Sequence, residues 1–413
     1  VRAALSVRLR FAFALAVISV FTPRTSGAKP HELDTASLES ASQRATGDEA
    51  FGPEVTSGVS FRLLFQTRYT HTAPEISAGL REYLLREASD PSALPVLENQ
   101  VRTNARAGDG LDLERVFLRA TAQPVSWVGL KLLVDFAELA HKNQKRALKL
   151  AYGELKPTRG VTITAGLFKI PFSLLELLPI ADFELADSGP TDDLVKDLGI
   201  AGRDLGVAVE LAPFAKHSAF TATAGVFAGS NVDASRHAGP GMLALRLTAR
   251  PTSHLRLGAD CAYRPFDVDN VEDGTVTPKY VSGGACSADA TFSYKRLQLR
   301  AEWLTGRRTD VIGSTTRNFM AAWAVLAYRY KLRGHASLTP ALRAEWLDED
   351  RSQPIATTTT LSAAMNVDFS ASARLLFDLS RSYVQLGTVD RSSELRVQKP
   401  SLTRGVIQLQ LKL

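Results

Sequence analysis

The sequence predicts an all-β chain: a transmembrane antiparallel β-barrel of about sixteen strands, with short periplasmic turns, long external loops and one loop folded into the lumen. Three observations predict it. After residue 58 the chain falls into short segments in which apolar and polar residues alternate, the pattern of strands with one greasy and one wet face. The gaps between them alternate long and short, because a spanning barrel gathers tight turns at one rim and loops at the other. No apolar stretch after residue 30 is long enough for a spanning helix. The 413 residues would fit two or three ordinary domains, yet no Pro/Ser/Gly linker divides the strand-rich part. Residues 58–413 are therefore expected to form one closed sheet.

Residues 1–28 read as a signal peptide. Arg2, Arg8 and Arg10 form a positive start, residues 11–21 (FAFALAVISVF) an apolar stretch too short for an anchor, and Ser26, Gly27 and Ala28 a small-residue cleavage site. Export by such a leader places the barrel in a bacterial outer membrane. The leader also carries Arg2, Arg8, Arg10 and Arg24 without an acid, so the formal charge of +6 falls to +2 once it is removed. The basic balance is then no argument for nucleic acid as a partner. Residues 29–57 hold Glu32, Asp34, Glu39, Asp48, Glu49 and Glu54 with no apolar period, and read as a flexible periplasmic tail.

The first strand sets Val59, Phe61, Leu63, Phe65 and Tyr69 against Ser60, Arg62, Gln66 and Arg68. After a long gap the second sets Val116, Leu118 and Ala120 against Arg115, Arg119 and Thr121. The third follows a tight turn, with Leu130, Leu132, Val134 and Phe136 against Lys131 and Asp135. The fourth reads apolar at Leu148, Leu150 and Tyr152, and the fifth at Val161, Ile163, Ala165 and Leu167. Past a second long gap, strands are expected near 204–212, 218–228, 242–250, 254–264, 280–293, 296–304, 318–332, 336–347, 358–368, 372–386 and 406–413. The count is even and both ends fall at the tight-turn rim. Closure follows from the solvent, since an open sheet edge in hydrocarbon would strand backbone N–H and C=O groups at several kcal/mol each. The last strand, with Ile407, Leu409, Leu411 and Leu413 on one face, is the kind of terminal amphipathic strand that barrel-assembly machinery handles.

Cys261 and Cys286 lie on consecutive strands at matching distances from the intervening loop. They read as either a cross-strand disulfide in an oxidising compartment or two small lipid-facing thiols. Tyr69, Trp127, Tyr263, Tyr294, Trp303, Tyr328, Tyr330, Trp346 and Tyr383 sit near strand ends, where interfacial girdles place aromatics. Within 75–88, Ile76, Leu80, Tyr83 and Leu84 recur at helical spacing, so a short helix is expected in the first external segment.

The alternation assigns a channel-lining, anion-attracting set: Arg62, Arg68, Arg115, Arg119, Lys131, Arg246, Arg250, Arg256, Arg300, Arg329, Arg343 and Arg374, with Lys169 and Arg203 at the ends of the second long gap. Rings of Arg and Lys favour anions in a pore; the bland alternative is mutual salt bridges with acids such as Asp135, Asp260, Glu302, Glu345 and Asp378. The gap at 169–202 is the expected constriction loop. Its apolar run at 170–180 needs cover, and it is acidic through Glu176, Asp182, Glu184, Asp187, Asp192 and Asp193. Facing a basic wall, such a loop sets up a transverse field.

The segment GLFKIPFS at 166–173, followed by GRDLGV at 202–207 and preceded by ERVFLR at 114–119, resembles the phosphate-selective porin O and P family of outer-membrane barrels. The resemblance spans about residues 58–413. It implies a homotrimer of sixteen-stranded barrels, a third external loop in the lumen, and small anionic solutes as cargo. No cofactor or metal is implied. The seven histidines are scattered, no Cys/His spacing suits zinc and no Gly-rich phosphate loop precedes a helix, so an enzyme is not expected. Two alternatives stand beside the porin: a non-conducting adhesion or structural barrel, and a soluble secreted β protein that binds carbohydrate.

Overall fold

The computed structural model describes residues 58–76, 80–81, 84, 92, 94–106, 108–140, 147–212, 219–229, 241–265, 280–310, 316–332, 334–351, 356–386 and 401–413. The expected signal peptide, the acidic tail and the turn at 213–217 lie outside the described residues.

Sixteen antiparallel strands form one sheet in sequence order. They are β1 Gly58–Glu75, β2 Gly110–Val125, β3 Val128–Asp135, β4 Leu148–Thr158, β5 Val161–Lys169, β6 Arg203–Leu211, β7 Phe220–Phe227 and β8 Met242–Thr252. The second half is β9 Leu255–Arg264, β10 Tyr280–Tyr294, β11 Leu297–Asp310, β12 Thr316–Tyr328, β13 Ser337–Asp348, β14 Ala356–Asp368, β15 Ala373–Leu386 and β16 Ser401–Lys412. β12 resumes for Tyr330–Lys331 after a break at Arg329. The sheet closes because β1 pairs with both β2 and β16, Leu64 lying opposite Lys412. Leu63 and Leu413 exchange both backbone hydrogen bonds at 2.9 Å, which seals the seam at the tight-turn rim.

The wall is inside out relative to a soluble sandwich. Phe61, Val207, Leu243, Leu342 and Leu379 are among many large apolar residues exposed on the outer face, while Gln66, Arg119, Asp135 and Arg246 are buried on the inner one. A continuous greasy exterior of this extent belongs against hydrocarbon rather than water. Cys261 and Cys286 face outward in direct register and are joined as a disulfide. Among the girdle aromatics, Tyr69, Tyr263, Tyr294 and Trp303 are exposed on this outer face, and Trp127 is exposed in the turn between β2 and β3.

Two expectations about faces and ends need correction. Leu150 and Tyr152 point inward and are buried, because a register shift between Leu133 and Val134 moves β4 by one residue against β3; one such step exchanges the two faces of a strand. Phe136 begins helix α2 (Phe136–Ala140) instead of ending β3. Asp135 Oδ1 accepts the Ala137 N–H at 3.1 Å, the job of a helix N-cap.

In the first external segment Leu80 and Leu84 are helical and buried. They pack with Val101 of helix α1 (Leu94–Ala105), a partner helix that the spacing had not revealed. Arg81 binds Glu98 across the pair at 2.6 Å.

Candidate pore constriction

The chain between β5 and β6 turns into the lumen and stays there. Its base is pinned where Ile170 N–H donates to Gly202 O at 2.9 Å and where Lys169 stands opposite Arg203. Just before the insert, Gly166 lets β5 lie close against β4: its φ is 129°, and a Cβ there would lie 2.3 Å from Ala151 O. Helix α3 (Leu174–Leu177), a 3₁₀ turn at Ile180–Asp182 and helix α4 (Pro190–Asp197) follow.

Apolar residues drive the insertion. Ile170, Phe172, Ala181, Leu194, Val195, Leu198, Ile200 and Ala201 form one cluster with inward-facing apolar residues from β1 to β13, including Leu64, Phe117, Leu133, Leu150, Phe227 and Phe319. A second cluster sets Leu174, Leu175 and Leu185 against Trp323, Val325, Ala341 and Ala364. At this level the lumen is lined by apolar side chains that meet the insert. Burying a Leu, Ile or Phe is worth about 1.5–3 kcal/mol, so the cluster holds the loop in place.

Wall polar groups then fix its orientation. Neither helix has a capping side chain of its own. Glu302 accepts from Leu174 N–H at 3.0 Å and from Ser173 Oγ at 3.1 Å, and Glu345 accepts from Thr191 N–H at 2.7 Å. Asp378 accepts from Ala186 N–H at 2.8 Å. The unpaired N–H groups of the helix starts thus find partners across the lumen. Arginines take the carbonyl and carboxylate side. Arg300 binds Glu184 at 2.5 Å, Arg343 donates to the Asp187 and Ser188 carbonyls, and Arg374 donates to Ala181 O at 2.9 Å. Asp187 is a hub for Arg68 at 3.2 Å and for Arg404, and Lys412 holds Asp182 at 3.5 Å.

Inside the insert, Lys196 bridges Glu176 at 2.5 Å and Asp192 at 2.6 Å. Burial works to raise the Glu176 carboxyl, but the charges of Lys196, Lys169 and Arg203 outweigh it and hold the group at about 2. Burial, then repulsion from Glu176, pushes Asp192 up to about 7 despite Lys196. Burial works to lower Lys196, and the two carboxylates outweigh it and raise it. Lys169 is committed as a staple, its ammonium donating to the Glu176 and Leu178 carbonyls. Asp193 lies in the first turn of α4.

The basic wall residues divide by partner. Arg68 and Arg115 bind Glu114 at 2.8 and 3.1 Å, and Lys131 binds Glu154 at 3.1 Å. Arg246 binds Asp260 and Asp289, Arg343 binds Glu345 at 2.5 Å, and Arg374 binds Asp368 at 2.6 Å. Arg62, Arg119 and Arg250 lie on the inward face and have further interactions. Arg329 is exposed at the tight-turn rim, where β12 breaks. Among the described residues, Arg203 and Arg256 form no salt bridge. The helix-capping role of Glu302, Glu345 and Asp378 was not visible in the sequence, since their partners lie 128, 154 and 192 residues away.

No family model matches the sequence, and no curated protein matches it. Among solved structures the chain is similar to a loop-deletion form of OmpT, an outer membrane protein of Vibrio cholerae, at 12% identity and a TM-score of 0.53, covering 87% of this chain and 100% of that one. An anion-selective porin from Comamonas acidovorans follows at 10% identity and a TM-score of 0.52, covering 86% and 99%. OmpT in a trimer form matches at 12% identity and a TM-score of 0.51, covering 86% and 100%. The chain therefore has the closed, sixteen-stranded antiparallel fold of outer-membrane porins.

Proposed function

We propose that this protein is a porin of a bacterial outer membrane that passes small hydrophilic solutes by diffusion, with a preference for anions, through a lumen narrowed by the insert at 170–202. The observation that carries the anion preference is the unequal satisfaction of charge. The acids Glu176, Glu184, Asp187, Asp192, Glu302, Glu345 and Asp378 are each held by a cation or a backbone N–H, while Arg203 and Arg256 form no salt bridge among the described residues and feel Glu176 and Asp289 only at longer range. A guanidinium on the inward face without a direct carboxylate contact attracts anions and repels cations.

The motifs shared with the phosphate-selective porins support the anion reading more than phosphate itself. A phosphate site needs converging free cations, and Lys169 spends its donors on carbonyl oxygens. A homotrimer follows from the same resemblance, and the trimeric form of a similar fold is in keeping with it. A second reading, a barrel whose lumen stays shut, is favoured by the apolar packing of the insert against the wall.

Planar-bilayer recording tests both. A stepwise conductance with a reversal potential of anionic sign in a KCl gradient is expected. A cationic reversal potential would overturn the selectivity, and silence at all voltages would favour the shut barrel.

A further inference from the structure

The outward wall carries a groove of about 1490 Å³ across β6 to β12. A row in direct register runs along it: Val207, Val226, Leu243, Tyr263, Gly284, Arg307. The floor drops where the row reaches Gly284, beside the Cys261–Cys286 pair. One end is therefore apolar. The other, toward the long-loop rim, is polar: Arg307, Arg351 and Asn318 line it with the hydroxyls of Ser282, Thr309 and Thr316.

The two arginines are placed together by the backbone. Asn318 lies opposite Arg307, and Arg351 N–H donates to Asn318 O at 2.8 Å. Neither guanidinium has an acidic partner among the described residues. Their neighbours on the same strands behave differently: Arg308 and Arg317 bind Glu349 at 3.2 Å and Asp350 at 3.1 Å. The local acids are thus used by those neighbours, and positive charge is left over at the head of an apolar groove.

We propose that this groove holds a phosphate-bearing, acylated lipid of the membrane's external leaflet. Its phosphate sits on Arg307 and Arg351, and an acyl chain lies along Val207, Val226, Leu243 and Tyr263. The apolar half alone would not choose such a lipid, because bulk hydrocarbon is equally greasy; the choice comes from charge-assisted hydrogen bonds between guanidinium and phosphate in a poorly hydrated setting. A second copy of the barrel fits worse. Its greasy wall would desolvate both arginines and supply no counter-charge, which is costly.

The proposal rests on the reading that this wall faces lipid, and one experiment separates the two. The full chain is folded, partitioned into detergent, and examined by native mass spectrometry with lipid A, with phosphatidylcholine and with inorganic phosphate. Failure to partition into detergent refutes the membrane reading itself. With partition intact, one retained lipid A is expected, and retention falls about tenfold or more in R307A/R351A. A224W, which fills the groove without changing charge, should lose it as well. R381A, on the outer face but paired with Glu75, should retain it. Equal retention by R307A/R351A, equal retention of phosphatidylcholine, or equal binding of inorganic phosphate overturns the proposal. So does a dimer that A224W abolishes in the absence of any lipid adduct.

Discussion

Glu345 on β13 accepts the backbone N–H of Thr191 at 2.7 Å and so caps helix α4 from across the lumen. The same carboxylate holds Arg343 at 2.5 Å, and Arg343 reaches the carbonyls of Asp187 and Ser188 just before that helix. One strand therefore grips both the donor and the acceptor side of a single turn. Glu302 repeats the device at α3. Wall acids that look like pore charges serve here as anchors.

Removing such an anchor should loosen the insert. Glu345→Ala loses a cap, at about 1 kcal/mol, and leaves Arg343 buried without its carboxylate, at about 3–5 kcal/mol. Higher single-channel conductance and faster proteolysis within 170–202 are expected. Glu345→Gln keeps an acceptor for Thr191 and should show a smaller effect. If conductance and protease resistance both stay at the level of the unaltered chain, the anchoring role is refuted.

The Asp192 cluster predicts a pH dependence. Asp192 is fully buried, and in the closed insert its carboxyl is pushed up to about 7 from an ordinary 3.8, by burial first and by Glu176 second. A raised value means that closure favours the protonated form. This contribution is fully present below the ordinary value and is lost as pH rises through about 7. Glu176 acts in the opposite sense: held at about 2, it contributes above its ordinary value and fails only as pH falls toward 2. Lys196, raised above its ordinary value by the two carboxylates, keeps its charge throughout this range. Conductance should therefore rise between about pH 4 and pH 7 and level off above that, and Asp192→Asn should flatten the rise. A pH-independent channel would contradict the assignment.

Much of this was legible in the sequence because a strand repeats every two residues. That period assigned the outward faces of β1, β5 and β16 and the inward positions of Arg119, Arg246 and Arg343. It failed at Leu150 and Tyr152 because a bulge changes register without changing composition. It failed again at Phe136, where Asp135 starts a helix. The need to cover the apolar run at 170–180 indicated that the loop turns inward, but not which wall groups would hold it. Those contacts join residues more than a hundred positions apart, and no local period encodes them.

Charge reversal at Arg256 tests selectivity without disturbing an anchor. Arg256 lies on the inward face of β9 and forms no salt bridge among the described residues, so Arg256→Glu breaks no observed ion pair. The reversal potential in a KCl gradient should move toward the cationic limit. Arg246→Glu is the contrasting case, because it strands Asp260 and Asp289 and should cost folding yield before it changes selectivity. An unchanged reversal potential in Arg256→Glu would place this residue off the conduction path.

The outward disulfide predicts a separable effect on stability. Cys261 and Cys286 are 25 residues apart in sequence and opposite each other in the sheet. Cross-linking them removes loop-closure entropy from the unfolded chain, worth about 3 kcal/mol for a loop of this size. The bond sits on the lipid side of β9 and β10, away from the insert, so it should not affect conduction. Reduction, or Cys261→Ala with Cys286→Ala, should lower the temperature at which the folded band on a gel converts to the unfolded one. Single-channel conductance should stay unchanged. A fall in conductance without a fall in that temperature would show instead that the pair acts on the lumen, through the β9 face that carries Arg256 and Asp260.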